Sequence, residues 1–158
     1  MTLNFRIRGA TASDLEAMKS VIDSTQLFPS ELLDEMVMPH LRGERPGEKW
    51  LVLEHDGQPA GLAYCAPERL TAGTRNLLLI AVHQAIQGNG GGTRLLLQLE
   101  HVLKQDSNRI LIVETSSLPE YQAARRFYER NGYVEEARIR DFYQDQEDKI
   151  VFWKRLQD

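Results

Sequence analysis

Apolar positions along this chain change period repeatedly, and each change marks an element. Asn4 to Arg8 alternates polar and apolar, which predicts a strand. Thr11-x-x-Asp14 then has the spacing of a helix-opening capping box, and Leu15, Met18 and Ile22 follow at helical spacing. Leu27-Phe28-Pro29 breaks that pattern. Ser30 is expected to cap a second helix with Leu33, Met36 and Val37 on its apolar face, kinked or ended by Pro39. Lys49 to His55 and Gln58 to Tyr64 read as strands joined by Asp56-Gly57, a strong hairpin signal. Arg75 to Val82 is the next strand, apolar throughout from Leu77. Arg94 to Lys104 reads as a helix with Leu95, Leu96, Leu99, Val102 and Leu103 on one side. Arg109 to Val113 is a fifth strand, with Glu114 at its end. Ser117-x-x-Glu120 resembles a second capping box, opening a helix through Arg130 that Asn131-Gly132 stops. Tyr133 to Ile139 and Lys149 to Lys154 are two final strands, linked by Asp141 to Asp148. The order β-α-α-β-β-β-α-β-α-β-β predicts a mixed α/β domain of the α+β type.

Composition narrows the class. The chain has 158 residues, enough for one domain with a real core, here placed over 3–157. Its net charge is −4 and it has no Lys/Arg-rich block, which argues against nucleic acid as a partner. No apolar run is long enough to span a bilayer and no secretory signal precedes the first strand, so a cytoplasmic protein without a membrane partner is expected. The single cysteine, Cys65, falls in a strand-like stretch and reads as a packing residue rather than a nucleophile. His40, His55 and His101 show no ligand spacing, so no metal is expected.

The chemistry concentrates in Gln87-Gly88-Asn89-Gly90-Gly91-Gly92-Thr93. This run follows an apolar strand and precedes an amphipathic helix. A glycine-rich turn of that kind aims unpaired N–H groups outward at the positive end of the helix dipole, which makes an anion site. Glycine permits positive φ and close approach of phosphate oxygens. A loop that is glycine-rich only in order to turn tightly is the alternative. A P-loop would need a lysine before Thr93, where Gly92 stands. A Rossmann fingerprint has Gly88-x-Gly90 and Glu114 in its favour, but Thr93 occupies the third glycine position. His83 to Gln87 also lengthen the turn, and too little chain follows Glu114 for the remaining strands.

Gln87-x-x-Gly90-x-Gly92 resembles the Gln/Arg-x-x-Gly-x-Gly/Ala loop of the GNAT N-acetyltransferase superfamily, which holds the pyrophosphate of acetyl-CoA. Ala124-x-x-Phe127-Tyr128-x-x-x-Gly132-Tyr133 is similar to that family's Ala-x-x-Phe-Tyr-x-x-x-Gly-Phe segment, and Ile7-Arg8-x-Ala10-Thr11-x-x-Asp14 to its opening strand and first cap. The resemblance spans nearly the whole chain. It implies a mostly antiparallel central sheet flanked by helices, with fourth and fifth strands that splay to admit the cofactor. Three positions depart from the pattern. Gln84 stands in place of a frequent proline, Gly91 in place of an aliphatic residue, and Tyr121 in place of a cofactor-binding asparagine.

The implied reaction is direct acetyl transfer from acetyl-CoA to an amine of a small molecule or a protein. An alkylamine of pKa ~10.4 is protonated at neutral pH, so a base must take its proton and an oxyanion must be stabilised. The resemblance implies cofactor contacts from Val82, whose backbone N–H would meet the oxyanion, and from Gln87, Gly88, Asn89, Gly90, Gly91, Gly92 and Thr93. Tyr128 would assist the departing thiolate; read without the resemblance it is a core aromatic beside Phe127. No acid lies in Leu77 to Val82, so Glu114 is the leading base, with a salt bridge or a cap of the next turn as its equal alternative. His83 and a water chain stay open. Leu27-Phe28-Pro29 and Asp141-Phe142-Tyr143 fall in the regions that shape the acceptor side, and Asp141 could attract a cationic amine. Asp145, Glu147 and Asp148 read as a solvated hairpin tip. A homodimer stays open, as does a non-catalytic acyl-CoA-binding module or, further off, a Rossmann-like nucleotide-binding protein.

Overall fold

The computed structural model describes residues 3–157. Its order is β1 (Phe5–Gly9), α1 (Leu15–Thr25), α2 (Leu33–Leu41), β2 (Lys49–His55), β3 (Gln58–Pro67), β4 (Thr74–Val82), α3 (Gly91–Gln105), β5 (Ile110–Ser116), α4 (Gln122–Arg130), β6 (Val134–Gln144) and β7 (Glu147–Arg155). This is the order the periodicity predicts. The strands follow β1-β2-β3-β4-β5-β7-β6 in a seven-stranded, mostly antiparallel sheet, with β4 and β5 parallel. Contacts divide the chain into two units. One runs through Ala66 and includes Leu79–Val102; the other is Pro67–Leu78 with Leu103 onward.

In the first unit, β1, β2 and β3 pair antiparallel, and Asp56 and Gly57 take φ of 51° and 79° at the hairpin turn. Two positive φ values suit the right-handed twist of the flanking strands. One core joins Met18, Val21 and Ile22 of α1 and Leu33 and Val37 of α2 to Trp50, Val52, Leu62 and Tyr64. Trp50 stacks on Tyr64 at 4.0 Å between ring centroids. The buried Glu48 carboxylate beneath them accepts from Tyr64 Oη at 3.1 Å and from Arg45 at 3.4 Å. Leu95, Leu96 and Leu99 of α3 are fully buried. Gly61 on β3 makes their approach possible, because a Cβ there would meet Leu95 Cδ1 at 3.2 Å and the Ala81 carbonyl at 3.1 Å.

The second unit is built on β5, β7 and β6. The β4–β5 register pairs Thr74–Leu77 with Ile110–Val113. On its other edge β5 pairs with β7 over its full length, Ile110 to Ser116. Tyr128 of α4 packs on Phe152 and Tyr133, with centroids 5.8 and 6.0 Å apart. Every residue of β6 is exposed.

Four local expectations change. Ser30 and Ser117 do not cap helices. Single 3₁₀ turns, Ser30–Leu32 and Pro119–Tyr121, precede α2 and α4, with Pro29 and Leu118 at their starts. Proline at the first position of a turn has no N–H to satisfy, which makes a side-chain cap at Ser117 unnecessary. The Ser117 hydroxyl instead accepts from the Asp148 N–H at 2.8 Å. Pro39 sits inside α2, which continues to Leu41. The Thr11–Asp14 box does form: the Thr11 N–H donates to the Asp14 carboxylate at 2.7 Å. Glu114 lies inside β5, opposite Val151, and not at its end. Finally, the Asp141–Asp148 linker is mostly strand, because β6 runs to Gln144 and β7 starts at Glu147. Asp141 supports this reach at φ 52°, with its N–H on Asp148 Oδ1 and its own carboxylate accepting from the Gln146 N–H.

Candidate active site

The glycine loop leaves β4 through a 3₁₀ turn, Gln84–Ile86, and enters α3 at Gly91. Gly91, Gly92 and Thr93 are therefore the helix's first turn and not part of a free loop. Gly88 and Gly90 carry φ of 82° and 83°, and a Cβ built on either meets nothing within 4 Å. That positive φ is the reason for glycine at these two positions. Among the described residues, no protein acceptor takes the N–H groups of Gly88, Asn89, Gly90, Gly91 or Gly92. Polar side chains of the loop turn back on its own carbonyls instead. Gln87 Nε2 donates to the Val82 carbonyl at 2.9 Å, and Asn89 Nδ2 to the Ile86 carbonyl at 2.9 Å. Among the described residues the carbonyls of Val82, Ile86, Gln87 and Gly90 accept hydrogen bonds, whereas the N–H groups of Gly88 to Gly92 have no protein acceptor. The arrangement fits an anion and repels a cation. Gln87 thus fixes the loop to the end of β4 and does not project its amide toward a phosphate. The Gly91 position, where the family pattern has an aliphatic residue, lies 3.4 Å from Leu53 Cδ1 and 3.7 Å from the Phe5 ring, measured from its virtual Cβ. Apolar partners from β1 and β2 fill the place of the missing side chain. His83 Nδ1 accepts from the Ala85 N–H at 3.1 Å, so this histidine shapes the turn. Val82 and Gln87–Thr93 all belong to the first unit.

Glu114 and Tyr128 belong to the second. Glu114 has both oxygens engaged. Oε1 accepts from Asn76 Nδ2 at 2.8 Å, and Oε2 pairs with the Lys149 ammonium. Asn76 also donates to Glu68 at 3.3 Å, while its own Oδ1 is buried without a partner. Strand alternation separates the two candidates. Val113 pairs with Phe152, against which Tyr128 packs; Glu114 pairs with Val151 and reaches Lys149 on the other face. Burial pushes the Tyr128 hydroxyl up to about 12, so it stays protonated throughout the neutral range.

Of the hairpin acids, Asp145 is exposed in the turn, as a solvated tip would be, but Glu147 and Asp148 are engaged. Glu147 accepts from Ser116 Oγ at 2.7 Å and from Gln144 Nε2 at 2.9 Å. Asp148 accepts from Arg138 at 2.6 Å and from the Asp141 N–H at 2.9 Å, and these bonds hold its carboxyl below the usual range. Glu114, Thr115, Ser116, Tyr121, Tyr143 and Glu147 line a cavity of about 300 Å³. Sequence reasoning flags Tyr143 and Tyr121 one at a time; the fold brings β6 and the 3₁₀ turn before α4 to one opening. Cys65 is fully buried, as a packing residue would be.

Known proteins share this architecture. Residues 46–135 match the family model described as the acetyltransferase (GNAT) domain. A proposed acetyltransferase of the GNAT family from Desulfovibrio desulfuricans is 31% identical, with 98% of this chain and 99% of that chain covered and a TM-score of 0.89. The ribosomal-protein-S18-alanine N-acetyltransferase of Escherichia coli is 21% identical, with 98% and 96% covered and a TM-score of 0.79. A proposed acetyltransferase from Salmonella typhimurium, solved with acetyl-CoA, is 20% identical, with 98% and 95% covered and a TM-score of 0.76. No curated protein matches the chain.

Proposed function

Because the chain belongs to the GNAT acetyltransferase family, whose reaction is acetyl-CoA-dependent acetyl transfer, we propose that its acceptor is an amine acylated by direct transfer, with no covalent enzyme intermediate. The observation that carries the site assignment is the row of N–H groups from Gly88 to Gly92, at the start of α3, that have no protein acceptor among the described residues. In this reading they hold the pyrophosphate, and the Gln87–Val82 bond fixes the loop relative to the end of β4. The open space at Gly88 and Gly90 is where the phosphate oxygens approach.

Acetyl-CoA supplies the acetyl group as a thioester, whose C–S bond breaks as the amine nitrogen bonds to the carbonyl carbon. The Val82 N–H stabilises the charge on that carbonyl oxygen. Tyr128 donates a hydrogen bond to the departing sulfur and keeps its proton. Giving that proton from a group near 12 to a thiolate of pKa ~8.5 would be uphill by ~5 kcal/mol. The proton that turns the ammonium into a nucleophilic amine goes to Glu114, and the second, lost from nitrogen as the C–N bond forms and the thiolate leaves, goes to solvent water. Glu114 lies on the opposite face of β5 from Tyr128, so the proton reaches it through water, on the second lone pair that each oxygen keeps beyond those used by Asn76 and Lys149.

Two measurements test this. Acetyl-CoA at a hundredfold over its Kd should raise stability by ~2.7 kcal/mol if it binds only the folded state. Thiol release should require an amine from a panel of small amines and peptides. Binding without release for any amine would reduce the protein to an acyl-CoA-binding module. No acetyl-CoA shift at all would remove the loop assignment.

A further inference from the structure

The cavity of about 300 Å³ in the second unit has a lining that matches one kind of ligand. Two carboxylates, Glu114 and Glu147, and two tyrosines, Tyr121 and Tyr143, contribute to it. The carboxylates are not equivalent. Glu114 is already paired with the Lys149 ammonium, which also sits 3.8 Å from the centroid of Phe142. The protein thus holds one of its own alkylammonium groups between a carboxylate and an aromatic face. Glu147 has the matching set without the cation. Its partners are the neutral donors Ser116 Oγ and Gln144 Nε2, and among the described residues no lysine, arginine or histidine nitrogen pairs with it. Tyr143, on the same lining, has its hydroxyl pushed up by burial and then by the charges of Glu114 and Glu147. The two carboxylates thus act on Tyr143 in the same direction as burial. A carboxylate fixed by two neutral donors beside aromatic rings is a ready seat for an ammonium ion.

The spacing follows from β5. Ser116, which anchors Glu147, is two residues beyond Glu114 on the same face of the strand, about 7 Å along it. We propose that Glu147, Tyr143 and Tyr121 bind a second positive charge on the acceptor, so that the preferred substrate is a dicationic α,ω-diamine rather than a monoamine or an amino acid. The inference rests on the amine-acetyltransferase reading, with one nitrogen of the diamine acylated and the other held at Glu147. A carboxylate-bearing acceptor would meet Glu147 as a like charge and be rejected.

The test has a binding arm independent of turnover. Diamines from 1,3-diaminopropane to 1,6-diaminohexane, with butylamine and γ-aminobutyrate as comparators, are titrated into the whole protein by calorimetry. Wild-type protein should bind diamines best at one intermediate spacer and weakest of all the γ-aminobutyrate. Glu147→Gln keeps the side chain's shape but removes its charge. It should weaken diamine binding roughly ten- to hundredfold, the range for a charge-assisted contact, and level the spacer preference. Tyr143→Ala, which leaves the carboxylate in place, should also weaken it. Equal affinity of wild type for diamines and butylamine, or unchanged diamine affinity in a folded Glu147→Gln protein, overturns the proposal. Thiol release from acetyl-CoA is then measured with the same amines. Glu147-dependent diamine binding without thiol release would uphold the cavity and sink the acetyl-transfer reading of its ligand. Equal thiol release from every amine, γ-aminobutyrate included, would do the reverse.

Discussion

Two adjacent glycines at the start of α3 should respond to alanine with opposite signs. Gly91 is the first residue of the helix, buried, and outside the left-handed region of φ. A methyl there would meet Leu53 Cδ1 at 3.4 Å and two Phe5 ring carbons at 3.7 Å, which is ordinary van der Waals contact. Restricting the unfolded chain contributes ~0.4–1 kcal/mol, and burying one methyl adds up to ~0.8 kcal/mol. Gly91→Ala should therefore stabilise by about 1 kcal/mol. Gly90 has φ +83° and open space around its virtual Cβ. Alanine there clashes only with its own backbone, at a cost of ~1–2 kcal/mol, partly offset by the same unfolded-state effect. The net is a loss of about 1 kcal/mol. In a chain of this length each kcal/mol moves Tm by roughly 2–4 °C, so the two variants should melt several degrees apart. Urea melts and calorimetry on the apo protein measure this. A second readout concerns the cofactor. The methyl added by Gly90→Ala would project into the open space where the phosphate is proposed to approach, so this variant should reduce the acetyl-CoA shift and Gly91→Ala should keep it. Destabilisation by both variants to the same degree would refute the claim that φ, not space, decides which of these positions must be glycine.

The other predictions concern the reacting centre. Tyr128→Phe should lower kcat by no more than ~10²-fold, because only a hydrogen bond to a good leaving group is lost, while the Kd for acetyl-CoA stays put; equal turnover would leave Tyr128 a core aromatic. The same residue should mark the alkaline stability curve. Its folded value near 12 lies above the unfolded value of 10, so stability is unaffected below pH ~10. It then falls as the unfolded chain loses its proton first, by up to ~2.7 kcal/mol near pH 12. Tyr64, also pushed up to about 12, shares this behaviour, so Tyr128→Phe should remove part of the loss and not all of it. Glu114→Gln retains an acceptor for Asn76 but breaks the Lys149 pair. If Glu114 is the base, rate should fall ~10²–10⁴-fold, most at low pH, and partly recover toward the amine's own pKa. A pH-independent loss with a lower Tm would make Glu114 structural.

What could be read in the sequence divides along the range of the forces involved. Asp56-Gly57 sets a two-residue turn by local sterics alone, and the strands on either side follow from it. The glycine loop is legible for the same reason, since positive φ at Gly88 and Gly90 is a property of the backbone itself. Ser117 misleads because its hydroxyl is drawn away by the N–H of Asp148, a residue of β7. The extent of β6 is hidden in a polar run, Asp141 to Asp148, that carries no strand pattern. It extends because β7 is there to pair with and because Arg138, Asp141 and Asp148 hold each other in place.

The same distinction explains why the proposed cofactor loop is more legible than the proposed acceptor side. Binding a pyrophosphate needs backbone N–H groups, so the requirement is written in a short contiguous segment where side chains are conspicuously absent. Binding an amine needs carboxylates and aromatic faces, which are common residues anywhere on a surface. Tyr121, Tyr143 and Glu147 acquire meaning only because the 3₁₀ turn before α4 and the β6–β7 hairpin meet at one opening. Glu114 is ambiguous from sequence on the same ground. Placed at a strand end it would be a free carboxylate. Placed opposite Val151, inside β5, it lies within reach of Lys149 and Asn76. Its task is then set by whether that pair can share it with an incoming amine, and a neighbouring carboxylate that pairs with no cation among the described residues, Glu147, is the group proposed to draw such an amine in.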